Sequence, residues 1–355
     1  MPIRIVLNPA ARRAPCESLF GGADYADVRR FFEARPAFVQ TRLVRLPALA
    51  ASVGLADILV KDEGSRFGLT AFKVTGTEYA VAKLRGATVL ACATEGNHGR
   101  AVARAAATRG LRAIVYMRES VSPERVAAIR AEGAEVVLVN GTYDDAVKRM
   151  ADAASRAGWT IVSDTAWPGY EAIPRDIMLG YTWIMTEAEG AWAPGRPPAV
   201  VVVQAGVGGL AGAVASWLCS RFGAERPYLI CAEPLEAACV LASIEAGEPR
   251  SIAVGRTEMG GLRSGQMSSI SWTSLRSTVD ACIAIDDGSV TQTIDRLAKP
   301  LDHDPVISAG PSGACGLAAL LAWMNDAPCA ASRRAAGLTP DARALVINTE
   351  RGVRA

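Results

Sequence analysis

One lysine has neighbours that suit it to covalent chemistry. Lys73 ends the polar, glycine-containing segment Lys61-Asp62-Glu63-Gly64-Ser65-Arg66-Phe67-Gly68-Leu69-Thr70-Ala71-Phe72-Lys73 and stands directly before a run that reads as a helix, 74–84. An amine attacks a carbonyl only when it is neutral. Burial or a neighbouring cation lowers the pKa of a lysine enough for that. Taken alone, any lysine is more simply a solvated surface residue. Three further segments shift that balance.

The first is Thr94-Glu95-Gly96-Asn97-His98-Gly99, a polar loop between a strand-like run at 88–93 and a helical one. Loops at the carboxyl ends of parallel strands are where open α/β sheets bind ligands. Asn97 can donate to a phenolate-like oxygen, and Glu95 can serve as acid or base. Its structural alternative is a carboxylate settled at a helix N-terminus. The second is Ser163-Asp164-Thr165-Ala166-Trp167-Pro168-Gly169-Tyr170, again after a short strand. Asp164 is a second candidate carboxylate, or else a turn residue or helix cap.

The third is Gln204-Ala205-Gly206-Val207-Gly208-Gly209, between an apolar strand and a helix. Backbone N–H groups at such a helix start make an anion site. The lysine of a nucleotide P-loop is missing. Gly206-x-Gly208 begins a dinucleotide fingerprint, with Ala211 in the third glycine's place and Glu233 at about the distance of the ribose-binding acid. A dinucleotide, a small phosphate such as that of pyridoxal phosphate, and a bare structural turn all remain open on this loop alone.

The elements that must carry these segments alternate regularly. Strands are expected at 88–93, 113–117, 135–140 and 160–163, with helices at 99–109, 123–132 and 143–157 between them. A long helix follows at 173–192, then a buried strand at 199–204, a helix to about residue 220, a strand at 228–232 and a last one at 344–348. This is the pattern of a doubly wound, parallel α/β sheet. The first 60 residues are less regular, with a strand at 58–61 between helices at 46–53 and 74–84.

With 355 residues the chain suits two domains. A net charge of +2 gives no reason to expect nucleic acid or an acidic membrane surface. The eight cysteines are scattered with no C-x-x-C pair and read as small buried residues, which fits a reducing cytoplasm. Two histidines make a histidine-based metal site improbable. No signal-peptide pattern or long apolar run appears, so a soluble, unexported protein is expected.

Read together, K-D-E-x-x-R-F-G-L-x-A-F-K, T-E-G-N-H-G, D-T-A-W-x-G-Y and Q-A-G-V-G resemble the fold-type II pyridoxal-phosphate enzymes, and within them the diaminopropionate ammonia-lyases. The similarity runs from about Phe38 to Gly352. It implies two domains, each a mostly parallel twisted sheet flanked by helices, with the active site in the cleft between them. The smaller domain would be residues 86–171, inserted into a larger one of 1–85 plus 172–355. It implies pyridoxal 5′-phosphate as cofactor, Lys73 as the Schiff-base lysine beside Phe72, and Gly206, Val207, Gly208 and Gly209 around the phosphate. Asn97 would face the pyridoxal 3′-oxygen and Thr349 the pyridine nitrogen, with Ser312 a weaker candidate for that region. A neutral hydroxyl at the pyridine nitrogen suits β-elimination. Lys73, Glu95 and Asp164 would share the proton transfers, on a small amino-acid substrate in a cytoplasmic homodimer.

The sequence also departs from that pattern. Glu95 stands where the lyases have Asp, the residue associated with proton abstraction from the D-isomer. A carboxylate misplaced by roughly an ångström can cost about 100-fold, which weakens the expectation of activity on D-substrates. Arg42 replaces a proline in Thr41-Arg42-Leu43, and Arg351 brings a positive charge to the C-terminal segment. Three other readings follow: β-replacement or serine/threonine dehydration on the same cofactor, a catalytically silent ligand-binding homologue, and a nicotinamide dehydrogenase resting on the 206–212 loop.

Overall fold

The structure is a computed structural model that describes residues 3–11, 16 and 18–352. Its strands are β1 (Ile3–Leu7), β2 (Leu43–Arg45), β3 (Asp57–Asp62), β4 (Val89–Ala93), β5 (Arg112–Arg118), β6 (Glu135–Val139), β7 (Thr160–Ile161), β8 (Val200–Gln204), β9 (Tyr228–Pro234), β10 (Ala281–Ile285) and β11 (Arg343–Asn348). They form two sheets. The larger has the order β1-β10-β9-β8-β11-β3-β2 and the smaller β6-β5-β4-β7. Every pairing is parallel except β1 with β10 and β2 with β3, at the two edges of the larger sheet. The α/β class expected from the alternation is observed. The smaller sheet lies wholly between β3 and β8 in the chain.

Parallel strands covered by helices on both faces need apolar side chains in both directions. β8 supplies four consecutive fully buried valines, Val200 to Val203, each stabilising by about 1.5–3 kcal/mol. Separate apolar clusters lie on the two faces, one around Val201, Val203 and Leu345, the other around Val200, Val202 and Val346.

Helix Lys73–Lys83 packs against helix Ala172–Ala191 through two glycines. A Cβ on Gly180 would lie 2.9 Å from the Gly76 Cα, and one on Gly76 would lie 2.5 Å from the Ile177 carbonyl oxygen. Only hydrogen at both positions permits this approach.

Four charged side chains are buried together. Lys61 Nζ lies 2.6 Å from Glu187 Oε2, and Arg66 donates to Glu187 Oε1 at 2.8 Å and to Glu63 Oε1 at 2.7 Å. Thr41 donates to Glu63 at 2.6 Å. Burial alone would raise the Glu63 carboxyl, but Arg66 and Lys61 hold it down to about 2. The group ties β3 and the segment leading to Lys73 onto the long helix.

The cysteine reading needs one correction. Cys16 and Cys219 are joined in a disulfide, their Cα atoms 5.6 Å apart. No local spacing announces it, because 203 residues separate the pair. Among the described residues no helix is long and apolar enough to cross a membrane.

Candidate active site

The three loop segments and the C-terminal Thr349 follow or end parallel strands at their carboxyl ends. Thr94 follows β4, Asp164 follows β7, Gln204 ends β8 and Thr349 follows β11. Lys73 is the first residue of its helix, and the Phe72 N–H before it donates to the Thr349 carbonyl at 3.0 Å. The two residues before Phe72 are tied down as well, by an Ala71–Glu350 bridge and by the Arg351 N–H on the Thr70 carbonyl at 2.8 Å. The lysine is thus set by β11, the last strand in the sequence.

Lys73 Nζ forms a short ion pair with Asp164 Oδ2. Burial alone would raise the Asp164 carboxyl. The Lys73 ammonium, and then the His98 ring, hold it well below the usual carboxylate range. Asp164 is fixed by its own segment. Trp167 and Tyr170 bridge across a tight turn with Pro168 and Gly169 at its tip, Gly169 at a φ of +86°. Their rings stack with centroids 4.1 Å apart. The Tyr170 hydroxyl donates to the Ile161 carbonyl at 2.8 Å and accepts from the Ser163 N–H at 2.9 Å. The D-T-A-W-P-G-Y motif is therefore a clamp that aims one carboxylate.

The glycine loop adjoins this pair. Ser268 links the two: its N–H donates to the Val207 carbonyl at 2.9 Å, and its hydroxyl accepts from the Ala166 N–H at 2.9 Å. Gly208 takes a φ of +88° as the residue before helix Gly209–Phe222. A Cβ on Gly206 would lie 3.2 Å from the Gly261 carbonyl oxygen, and one on Gly208 3.0 Å from the Ser271 Cβ. Gly208 needs glycine for its left-handed backbone, a side chain at 206 would be tight, and the first-turn N–H groups of the helix the loop opens have no intrahelical acceptor. A phosphate matches that set of donors.

Gln204 is a residue the sequence reading passed over. Its Nε2 shares its two hydrogens among the carbonyls of Ser312 at 2.9 Å and Ile347 at 3.0 Å and Thr349 Oγ1 at 3.0 Å. With one lone pair taken by Gln204, the Thr349 hydroxyl donates, here to the Ser312 carbonyl at 3.4 Å, a long bond that a pyridine nitrogen could replace. Ser312 has its hydroxyl engaged by the Gly261 N–H at 3.0 Å. Nothing in a glutamine codon's neighbours flags this role; only the pairing of β8 with β11 creates it.

Asn97 opens helix Asn97–Ala107 and donates through Nδ2 to Glu350 Oε2 at 2.6 Å. Glu350, also unforeseen, accepts from the Ser312 N–H at 3.1 Å and so holds the amide in place. Thr94 closes the loop by accepting from the Gly96 N–H at 3.1 Å. Gly99 allows the helix to seat: a Cβ there would be 2.4 Å from Thr94 Cγ2.

Glu95 is engaged by arginines. Its carboxylate pairs with Arg118 at the end of β5, and Arg125 donates to its carbonyl at 3.2 Å. Arg42 pairs with Asp62 at 2.8 Å. The Arg351 side chain is exposed. Glu233 does not present an acid to a ribose. Its buried carboxylate accepts from the Val240 and Leu241 N–H groups at 2.8 and 2.7 Å, and burial pushes it up to about 8 despite those donors. The dinucleotide reading of the loop loses its acid.

The comparisons with known proteins agree with this geometry. Residues 34–350 match the family described as pyridoxal-phosphate dependent enzyme. The chain is 35% identical to diaminopropionate ammonia-lyase of Escherichia coli K12, over 94% of this chain and 89% of that protein. It is also 35% identical to the Salmonella typhimurium protein of the same name, over 94% and 90%. The crystal structure of the Escherichia coli lyase in complex with an aminoacrylate–PLP azomethine reaction intermediate superposes with a TM-score of 0.91, covering 99% of this chain and 94% of that one at 35% identity. A lysine beside a buried carboxylate, a glycine cradle and an oriented hydroxyl are what a phosphate-bearing pyridine aldehyde needs, and the chain belongs to the pyridoxal-phosphate-dependent enzymes of fold type II.

Proposed function

We propose that this chain is a pyridoxal-phosphate-dependent ammonia-lyase that eliminates the β-substituent of a 2,3-diaminopropionate-like amino acid, yielding a 2-oxo acid and ammonia. The observation that carries this reading is the Lys73–Asp164 pair set beside the 206–209 loop. When bound, the cofactor supplies the sink for the electrons left at the substrate's Cα.

The protein's own groups do the rest. Lys73 would hold the cofactor through its amine, and the 206–209 amides and the helix start would hold its phosphate. Asn97, steadied by Glu350, would serve the 3′-oxygen, and the Thr349 hydroxyl the pyridine nitrogen. Lys73, once its amine is released, takes the α-proton. Asp164 holds that ammonium and keeps it within reach of the leaving group. Proton transfer by a positioned group contributes about 10²–10⁴-fold. Glu95, drawn toward Arg118, serves at the margin of the site, where a second substrate configuration would present its proton.

The two sheets support a division into an inserted domain, 86–171, and a larger one, 1–85 plus 172–355. A cytoplasmic homodimer completes the proposal; six free thiols fit a reducing compartment, the Cys16–Cys219 disulfide does not, and light scattering of the purified protein tests the dimer.

The deciding experiment is ammonia release by cofactor-loaded protein from L- and D-2,3-diaminopropionate, serine and threonine. Release is expected from L-2,3-diaminopropionate ahead of the others, and its loss in Lys73→Ala. Turnover only in the presence of an added thiol or amine would point to β-replacement. No release from any of the panel would end the reading.

A further inference from the structure

His98 is a buried group for which the proposed chemistry has no task. Its side chain is 8% exposed, and Nε2 lies 2.8 Å from the Val162 carbonyl oxygen. A carbonyl only accepts, so Nε2 carries a proton and the tautomer is fixed. Nδ1 is then the position where the ring gains or loses its second proton. That atom is buried without a hydrogen-bond partner and faces Asp164 Oδ2 at 3.8 Å. A lone pair aimed at a carboxylate in a desolvated pocket is unfavourable, whereas an N–H there is stabilised.

The same oxygen, Oδ2, receives Lys73 Nζ. One carboxylate oxygen thus serves two cationic positions, and the lysine is the one that the chemistry removes. The other titratable groups around Asp164 cannot replace it. Burial pushes Cys92 of β4, Tyr143, Tyr170 and Tyr181 up, and all four stay neutral. Glu95 is an anion engaged by Arg118. Among the described residues facing Asp164, the His98 ring is the group that can become a cation while Lys73 is occupied.

We propose that His98 is the positioning residue for Asp164, its Nδ1–H supplying the counter-charge whenever the Lys73 amine is taken up by the cofactor. The engagement of Lys73 rests on the lyase reading; the coupling of His98 to Asp164 rests on the geometry alone. The ring keeps the carboxylate aimed at the lysine position and charged.

Histidine ring NMR tests this without cofactor or turnover. The chain has two histidines, His98 and His303, so the assignment is tractable. Removing the lysine charge in Lys73→Met leaves His98 as Asp164's counter-charge. In that variant Nδ1 is expected to hold its proton to a pH about 1–3 units higher than in Lys73→Met/Asp164→Asn, while His303 titrates alike in both. If the double variant fails to fold, wild type against Asp164→Asn gives a shift of the same sign. Equal His98 titrations in either comparison overturn the proposal. In the loaded enzyme, His98→Gln keeps a donor for the Val162 carbonyl but nothing at Nδ1. It should lower kcat by about tenfold or more with little change in KM, and an unchanged kcat also overturns it. The ring titration can fail while the substrate panel succeeds, and the reverse, so the two readings are separable.

Discussion

Gly76 and Gly180 lie back to back, close enough that a Cβ on Gly180 would sit 2.9 Å from the Gly76 Cα and 3.0 Å from the Thr75 carbonyl oxygen. This contact sets the distance between the helix that begins at Lys73 and the long helix that leads out of the Asp164 segment. The obstacles are backbone atoms, which cannot swing aside as a side-chain tip can. Gly180→Ala should therefore cost about 1–3 kcal/mol by overpacking, exceeding the gain of up to about 1 kcal/mol in helix propensity. Because Lys73 shifts with its helix, activity should fall by as much as about 100-fold. Thermal melting and steady-state kinetics check both, and an Ala variant as stable and active as wild type would sink the account.

The buried group of Lys61, Glu63, Arg66 and Glu187 gives the fold a sensitivity to acid. The Glu63 carboxyl is held from its ordinary 4.5 down to about 2. A carboxyl lowered in the folded state stabilises above its unfolded value and loses that contribution as pH falls toward the folded one. Stability should thus drop between about pH 4.5 and 2 with a slope that Glu63→Gln lacks. At neutral pH that variant leaves Arg66 and Lys61 undercompensated and should cost about 3–5 kcal/mol. Denaturant titrations at several pH values measure both effects.

Gln204 connects β8 to the hydroxyl that would meet the pyridine nitrogen. Gln204→Met keeps the volume and removes the donor, leaving the buried carbonyls of Ser312 and Ile347 short of a partner. Each lost partner costs about 1–3 kcal/mol. Thr349 is then free to turn its proton elsewhere, and cofactor affinity should weaken by about tenfold or more, the value of one such hydrogen bond. A cofactor titration followed by absorbance measures this, and an unchanged Kd would mean that Thr349 orients itself.

Most parallel strands and the four motifs were legible because each carries its own local signal, but the parallel strand β10 and the helices between residues 239 and 325 were not read. Buried parallel strands such as β8 are continuous apolar runs, and the turns after them are marked by Gly, Asn and Asp. The edge strand β1 and helix Gly22–Glu33 escaped, since their partners lie far along the chain: Ile3 pairs with Ile285. The same holds in the site. Lys73, Asp164 and the glycines announce themselves by motif, whereas Gln204, Glu350 and the Nδ1 of His98 acquire meaning only from what the fold places against them. Glu95 is the converse case, a residue with a motif whose carboxylate the fold turns toward Arg118.

That turn leads to the last prediction. The Glu95–Arg118 pair is partly exposed, at 27% and 25% for the two side chains. Such a pair is worth about 0.2–1 kcal/mol, or at most about fivefold in any equilibrium it controls. Arg118→Met removes the guanidinium and leaves the stem to pack. If the pair draws Glu95 away from the substrate, freeing it should raise kcat/KM for D-2,3-diaminopropionate by up to about fivefold. Activity on the L-isomer, which relies on Lys73, should stay level. The gain should shrink in wild-type comparisons made at high salt, because salt already weakens an exposed pair. Glu95→Gln should abolish the D-isomer gain in the Arg118→Met background. A parallel change for both isomers would instead mean that Arg118 supports the loop as a whole, and would remove Glu95 from the chemistry.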